Sequence, residues 1–509
     1  ITATDNIASN RNGGFIDAAN LTVDGGIVST GNEAHLNGGF ADLSGAFTAG
    51  GAITAKNNLA KNGDGGFVKS AAISFAGGLF EDNSAFANGG VFSTTSGVTA
   101  TGPIQESRNE ASGSEGGFID ATGDVTLVSL ESDSSSSFGL GGSINTGSNV
   151  VITGSVSASV TRSLNSGGGV IYSSGNTEIG SLYANGTSSL SVGSVIQAIG
   201  EITVSGASVI SNVSGERALD GTLGVTLDSL VISDITSGGA INSDNNVTIG
   251  GSLDAQRISG AVGAVISGTD VEIAGGYISD VDSNSFGGAI YATGNFTSNG
   301  DLELTRFSTS NQATIYAGSD IYINGNFDCT EAASNSSVPG RCLQAVGAVT
   351  IDDHFLVENV SNGPAIFAGG LITIQSLEAI DVESASPGAV LRGDGVSING
   401  HVQLTRVSST ASGGAISTNS SASQIVELGS LTATDVHSSG GPGGVIESSG
   451  GITIEGHAEL TDVSSTSGGG AFSNSSASSS VSLGSLSATD VSTSGGAGGV
   501  IQSLGGISI

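Results

Sequence analysis

The chain has 509 residues, enough for several domains or one elongated one, and 84 glycines with only 5 prolines exclude the Gly-X-Y pattern of collagen. Hydrophobic residues make up 37% and charged ones 11%, with a mean hydropathy of +0.19, which describes a packed chain rather than a disordered one. Against 46 acidic residues stand 12 basic ones, a formal net charge of −34, so nucleic acid and anionic membrane are excluded as partners, because both need basic patches. Acidity of this kind serves solubility, with calcium-loaded or high-salt surroundings as the alternative.

The first residues, "ITATDNIASN", have neither an initiator Met nor the layout of a signal peptide, so the chain reads as a processed or excised piece. No apolar run is long enough to span a bilayer, which argues against membrane insertion by this segment. A glycine pair followed by an apolar doublet then recurs, as GGFID at 13, GGFAD at 38, GGFVK at 65, GGVFS at 89 and GGFID at 116. Later copies include GGAIY at Gly287 and Gly288, GGAIS at Gly413 and Gly414, and GGVIE at Gly443 and Gly444. The period of about 25 residues lies in the range of solenoid repeats.

Within each period a second run alternates apolar and polar residues, as in ITVSG from 202, VSING from 396 and ITIEG from 452. A third follows, as in DLELTRF from 301 and HVQLTRV from 401. Alternation over so few residues, bounded by Gly, Asn and Ser, is a strand signature, and nothing resembles a helix. The expectation is all-β: a right-handed parallel β-helix with about 25 residues and three short strands per rung, stacked at about 4.8 Å. Roughly 20 rungs would make a rod of about 95 Å. Inward positions would include Leu302, Leu304, Val402, Leu404 and Leu460, whereas Asp301, Glu303, Thr305, Gln403 and Glu459 should face water. The glycine pairs are read as rung corners, where stacked neighbours leave no room for a Cβ, and not as phosphate loops, since no helix follows them.

The chain is read as a single continuous solenoid over 1–509 with two compositional zones. Residues 1–138 hold ten of the seventeen Phe, among them Phe15, Phe40, Phe67, Phe80, Phe92 and Phe118, and suggest an aromatic stack in the core. In 139–509 Ile, Val and Leu take over and the turns are Ser-rich. Cys329 and Cys342 are the only cysteines, bracketing a Ser/Asn/Pro-rich bulge. One disulfide closing a surface loop would imply an oxidising compartment, with two unpaired thiols as the alternative. A tandem duplication pairs 404–454 with 460–509, and neither end carries the cap that terminal repeats of a solenoid normally have. End-to-end association with other copies or with flanking solenoid segments is therefore expected.

GGAI at 238, 287 and 413, FEDN at 80 and FTSN at 296 resemble the alternating GGA[ILV] and FxxN motifs of the chlamydial polymorphic membrane proteins, whose passenger domains are autotransporter-like β-helices. The resemblance implies a parallel β-helix at the cell surface, used in adhesion to host or cell-surface receptors or glycans. The sequence departs from that family in the rarity of FxxN after 138, in lacking an outer-membrane barrel, and in its near absence of cysteine.

Parallel β-helices also host polysaccharide lyases and glycoside hydrolases, and "IDDHF" offers Asp352, Asp353 and His354 as an acid/base candidate. No companion set stands on adjacent rungs, so a charged turn is the simpler account. His401 and His457 share a repeat position two rungs apart, too far for one ion, and read as solvent-facing turn residues. Nine N-x-[ST] sequons, Asn335 and Asn474 among them, match what chance gives in so Asn- and Ser-rich a chain. No catalytic, cofactor-binding or metal residues are expected. The sequence describes a non-enzymatic extracellular rod, either a filament subunit or an adhesin stalk.

Overall fold

The computed structural model describes residues 1–260, 262–283, 287–309, 313–334, 341–419 and 424–509. These form two compact units, Ile1–Gly251 and Ser252–Ile509. Each is a β-solenoid of parallel strands with turns of about 26 residues, and there is no helix among the described residues.

One turn of the first unit shows how the sequence builds the fold. After the Gly65–Gly66 corner, Val68–Ser70 forms a short strand, Ala72–Phe75 a second and Gly78–Glu81 a third. Each pairs in parallel with its counterpart one turn on: Val68 with Phe92, Ile73 with Val98, Leu79 with Gln105. Alternation puts Ile73, Phe75 and Phe80 inside. The doublet after the glycines breaks that alternation, for Phe67 and Val68 are both buried. Their two amide groups donate to a single acceptor, the Val91 carbonyl, at 3.0 and 2.9 Å, which bends the chain and turns both side chains inward.

A fourth element had no counterpart in the sequence reading of three strands per rung. The third strand ends at a residue with positive φ, followed by a two-residue strand: Asp82 (φ 55) leads into Ser84–Ala85. This left-handed corner recurs once per turn, at Asp5, Gly31, Asn57, Asp82 and Arg108 in the first unit and at Asp381, Arg406, Asp435, Asp462 and Asp490 in the second. Of the non-glycine residues with positive φ, all but Asn362 occupy it. Asp and Asn dominate because their short polar side chains tolerate this region best. In the second unit, corner and strands run together into single long elements, Gly395–Ser409 and Gly451–Ser465, with the corner residue skipped in the pairing.

The corner explains one departure from alternation. Leu304 and Phe307 both point inward because Arg306 has φ 56, and Thr305, expected to face water, is buried, with Thr330 Oγ1 donating to its hydroxyl at 2.9 Å. Asp301, Glu303, Gln403 and Glu459 are exposed. In the Phe-rich zone Phe40, Phe67, Phe80, Phe92 and Phe118 are fully buried and in ring contact. Phe15 stacks on Phe40 at 5.5 Å but stays 43% exposed.

Candidate functional sites

Four columns of side chains, repeated from turn to turn, carry the chemistry of this chain. The first is internal. The residue after the left-handed corner is Asn6, Asn32, Asn58, Asn83 and Asn109 in successive turns, and the last four are fully buried. Each Nδ2 donates to the Oδ1 of the next, at 2.7, 3.1, 2.8 and 3.0 Å. The backbone amides of the first four reach the same acceptors. The series ends on Glu106, a buried carboxylate that accepts from Asn109 Nδ2 at 2.9 Å, from Ser143 Oγ at 2.8 Å and from Ser135 Oγ. Burial pushes the Glu106 carboxyl up, against the pull of these donors.

The second column is the left-handed corner itself. Arginines there fork onto the aspartate one turn earlier: Arg108 on Asp82 at 2.7 and 2.9 Å, Arg306 on Asp280 at 2.6 and 2.9 Å, Arg406 on Asp381 at 2.5 and 2.7 Å. Each aspartate is held below the usual carboxylate range by its guanidinium partner. Further along, Asp435 and Asp462 occupy successive corners with His437 between them, Nε2 at 2.6 Å from Asp435 Oδ1 and Nδ1 at 2.8 Å from Ser464 Oγ. One ligand atom from each of Asp435, His437 and Asp462 lies within 4.8 Å of the others, so this group has the spacing to hold a cation.

The third column holds three of the histidines. His354, Ser376, His401, Ser430, His457 and Ser485 stand at one outward position of successive turns. Each imidazole Nδ1 meets the next turn's serine Oγ, at 2.9, 2.9 and 2.8 Å. His401 and His457 are exposed and two turns apart, with Ser430 between. Asp352 and Asp353 are exposed neighbours on one strand, while His354 leans toward Glu378, 4.0 Å away. Asp352 and Asp353 thus come from one strand, while the carboxylate that His354 approaches, Glu378, comes from the next turn. A concavity of about 780 Å³ in the first unit, lined by Gly77, Pro103, Gln105 and Glu131, has a single carboxylate, which accepts from Gln105 Nε2 at 2.9 Å.

The fourth column is the outward position of the strand after the glycine pair. In the first unit it is largely acid and amide, including Asp17, Asp42, Asp120 and Asn145. Burial pushes the Asp120 carboxyl up to about 6, although Asn145 Nδ2 donates to it at 2.7 Å. In the second unit the same position carries Tyr291, Tyr316, Gln344, Phe367 and Arg392.

The corner glycines divide their work. Gly287, Gly413 and Gly443 have φ of +59, +60 and +70, the left-handed region that disfavours a side chain. Gly414 and Gly444 are needed for closeness instead: a Cβ would stand 1.8 and 2.2 Å from the Gly444 and Gly470 carbonyl oxygens of the next turn. At Gly288 the nearest obstacle is a side chain, Thr309 Cγ2 at 2.4 Å. Cys329 and Cys342 form a disulfide with Cα atoms 6.2 Å apart. Both residues are fully buried, so it ties the third strand to the next apolar doublet inside the core. Residues 335–340, with the Asn335 sequon, lie outside the described residues, and Asn474 is buried.

No family model matches this chain, and no curated protein or solved structure does. Sequence reasoning missed the asparagine column and the left-handed corner, although DNIA, GNEA, NNLA, DNSA and RNEA recur at the same spacing as the glycine pairs.

Proposed function

We propose that the chain is a non-enzymatic extracellular surface protein that acts through shape, a stiff β-solenoid rod serving as a filament subunit or an adhesin stalk. The observation that carries this reading is that the turns spend their distinctive side chains on one another. Amides ladder onto amides, guanidinium groups fork onto the preceding aspartate, and imidazoles bond the next serine. Bending such a stack strains hydrogen bonds and core packing in every turn, which favours a stiff element. The buried disulfide and the Ser-, Thr- and Asn-rich acidic surface suit an oxidising, extracellular setting. The GGAI and FEDN strings, similar to those of the polymorphic membrane proteins, support the adhesin form. The tandem duplication supports the filament form, with further copies or flanking solenoid segments as partners.

Electron microscopy of the native material tests the proposal. Continuous filaments with a regular axial repeat are expected for a filament subunit, and single rods standing on a surface for a stalk. Compact particles with no elongated element, or polysaccharide cleavage that is abolished by Asp352→Ala, would overturn it.

A further inference from the structure

The fourth column differs between the two units in a way that the fold does not require. Tyr291 and Tyr316 stack with ring centroids 5.3 Å apart and planes 11° from parallel, on adjacent turns. Gln344 and Phe367 continue the column, and Arg392 follows. Phe367 lies between two guanidinium groups, with Arg341 Cζ 4.5 Å and Arg392 Cζ 5.6 Å from its ring centre. Arg341 Nη1 donates to Gln344 Oε1 at 2.6 Å. All six side chains are half-buried, so each keeps a surface toward solvent.

The two arginines are the anomaly. In a chain with 46 acidic and 12 basic residues, Arg108, Arg306 and Arg406 each hold a carboxylate. Neither Arg341 nor Arg392 forms an ion pair among the described residues, and the Nε of each is buried without a hydrogen-bond partner. Burial and the charge of Arg392 push the Arg341 guanidinium down to about 10. Two like charges thus face each other across one ring with donors unused. An anion at the half-exposed guanidinium groups would relieve the repulsion, because a guanidinium matches carboxylate or sulfate oxygens.

We infer that this column binds an acidic polysaccharide, one carrying carboxylate or sulfate groups, laid along the solenoid axis. Tyr291 and Tyr316 stack on each other along the axis, so they turn ring edges rather than faces toward a bound chain, on turns about 4.8 Å apart. Gln344 supplies an amide for hydroxyls, and the arginine pair supplies the charge recognition. A peptide strand has less to gain here, because the backbone groups of these strands already pair with the neighbouring turns and leave no edge for main-chain hydrogen bonds. The net charge of −34 repels a polyanion elsewhere on the chain, which confines it to this stripe and makes binding sensitive to salt. The inference goes beyond the rod reading and stands whether the chain is a filament subunit, a stalk or neither.

The test is calorimetric titration of the full chain with polygalacturonate, heparin and neutral dextran at physiological salt. Binding to one or both of the acidic polymers but not to dextran is expected, and the polymer preferred tells carboxylate from sulfate recognition. The double variant Arg341→Gln/Arg392→Gln should weaken that binding at least tenfold and Tyr316→Ala severalfold, with unchanged far-UV circular dichroism. Arg162→Gln, in the first unit and outside the column, should bind as the parent does. If Arg341→Gln/Arg392→Gln fails to fold, Tyr316→Ala and Tyr291→Ala carry the test. Absence of binding to both acidic polymers, equal binding to dextran, or binding indifferent to these column variants would overturn the inference.

Discussion

The position after the left-handed corner is Asn32, Asn58, Asn83 and Asn109 in the first unit and Val382, Val407, Val436 and Val463 in the second, and all eight side chains are buried. The backbone around them is the same: a corner residue skipped in the pairing, flanked by strands in parallel register. The early turns fill the site with a polar column in which every amide has partners; from Val213 and Ile235, still in the first unit, through Phe307 and Val382 it is filled with carbon. The contrast teaches that the fold demands a satisfied column and not a particular chemistry, since a buried polar network is tolerated only when complete.

Breaking the polar column at one rung should therefore cost most. Asn83→Val strips the acceptor from both the Asn58 backbone amide and Asn58 Nδ2, and orphaned buried donors predict a loss of about 4 kcal/mol in urea unfolding of the first unit. Converting Asn32, Asn58, Asn83 and Asn109 to Val together with Glu106→Leu should recover most of that loss, because nothing is then left half-bonded. A multiple variant less stable than Asn83→Val alone would show that the columns are not interchangeable.

The second unit adds a covalent tie. Replacing both Cys329 and Cys342 by Ala should destabilise it by about 3 kcal/mol, with hydrogen exchange in the first unit unchanged. Equal loss of protection in both units would mean that the tie acts on the whole chain.

Two carboxyls of the first unit make it sensitive to alkali. Burial raises Glu106 and Asp120 above their unfolded values of 4.5 and 3.8, so the folded state holds these protons more tightly. Their stabilising contribution is complete below the unfolded values and is lost as pH rises through the folded ones, about 6 for Asp120. Asp120→Asn and Glu106→Gln should each raise the melting temperature at pH 7.5 and leave it nearly unchanged at pH 4. The smallest effect belongs to the corner forks. Their aspartates have depressed values, so the forks stabilise above pH 3.8 and fade as pH falls through the folded value. Arg406→Ala should give a change in melting temperature that vanishes in high salt.

How much of this was legible in the sequence follows from which signals are local. Glycine pairs and alternating runs announce themselves within five residues, and they gave the parallel turns and the interior positions of Leu302, Leu404 and Leu460. The left-handed corner is carried by one residue per turn, most often Asp as at Asp381 but also Arg406 or Gly31, so no single residue type marks it. Thr305 was misplaced for this reason. The disulfide partners were legible from cysteine count, but not their depth, since Cys342 occupies the doublet position that Ala365 and Val390 fill in later turns. The bare arginine pair was invisible because residues 341 and 392 meet only through Phe367.

The asparagine column also has a direction. From Asn6 to Asn109 every side-chain amide hands one hydrogen forward along the column, so the amide dipoles add head to tail, as peptide dipoles do along a helix, while Asn32, Asn58, Asn83 and Asn109 give the other to a backbone carbonyl of the turn before. Glu106 receives the last hydrogen and sits at the positive pole of that series. A carboxylate there gains from the accumulated field and, being unable to donate when ionised, ends it. Beyond it the corresponding positions are the hydroxyls of Ser135 and Thr161. Polarity along this solenoid is thus written twice, once in the order of its chain and once in the orientation of a single file of hydrogens.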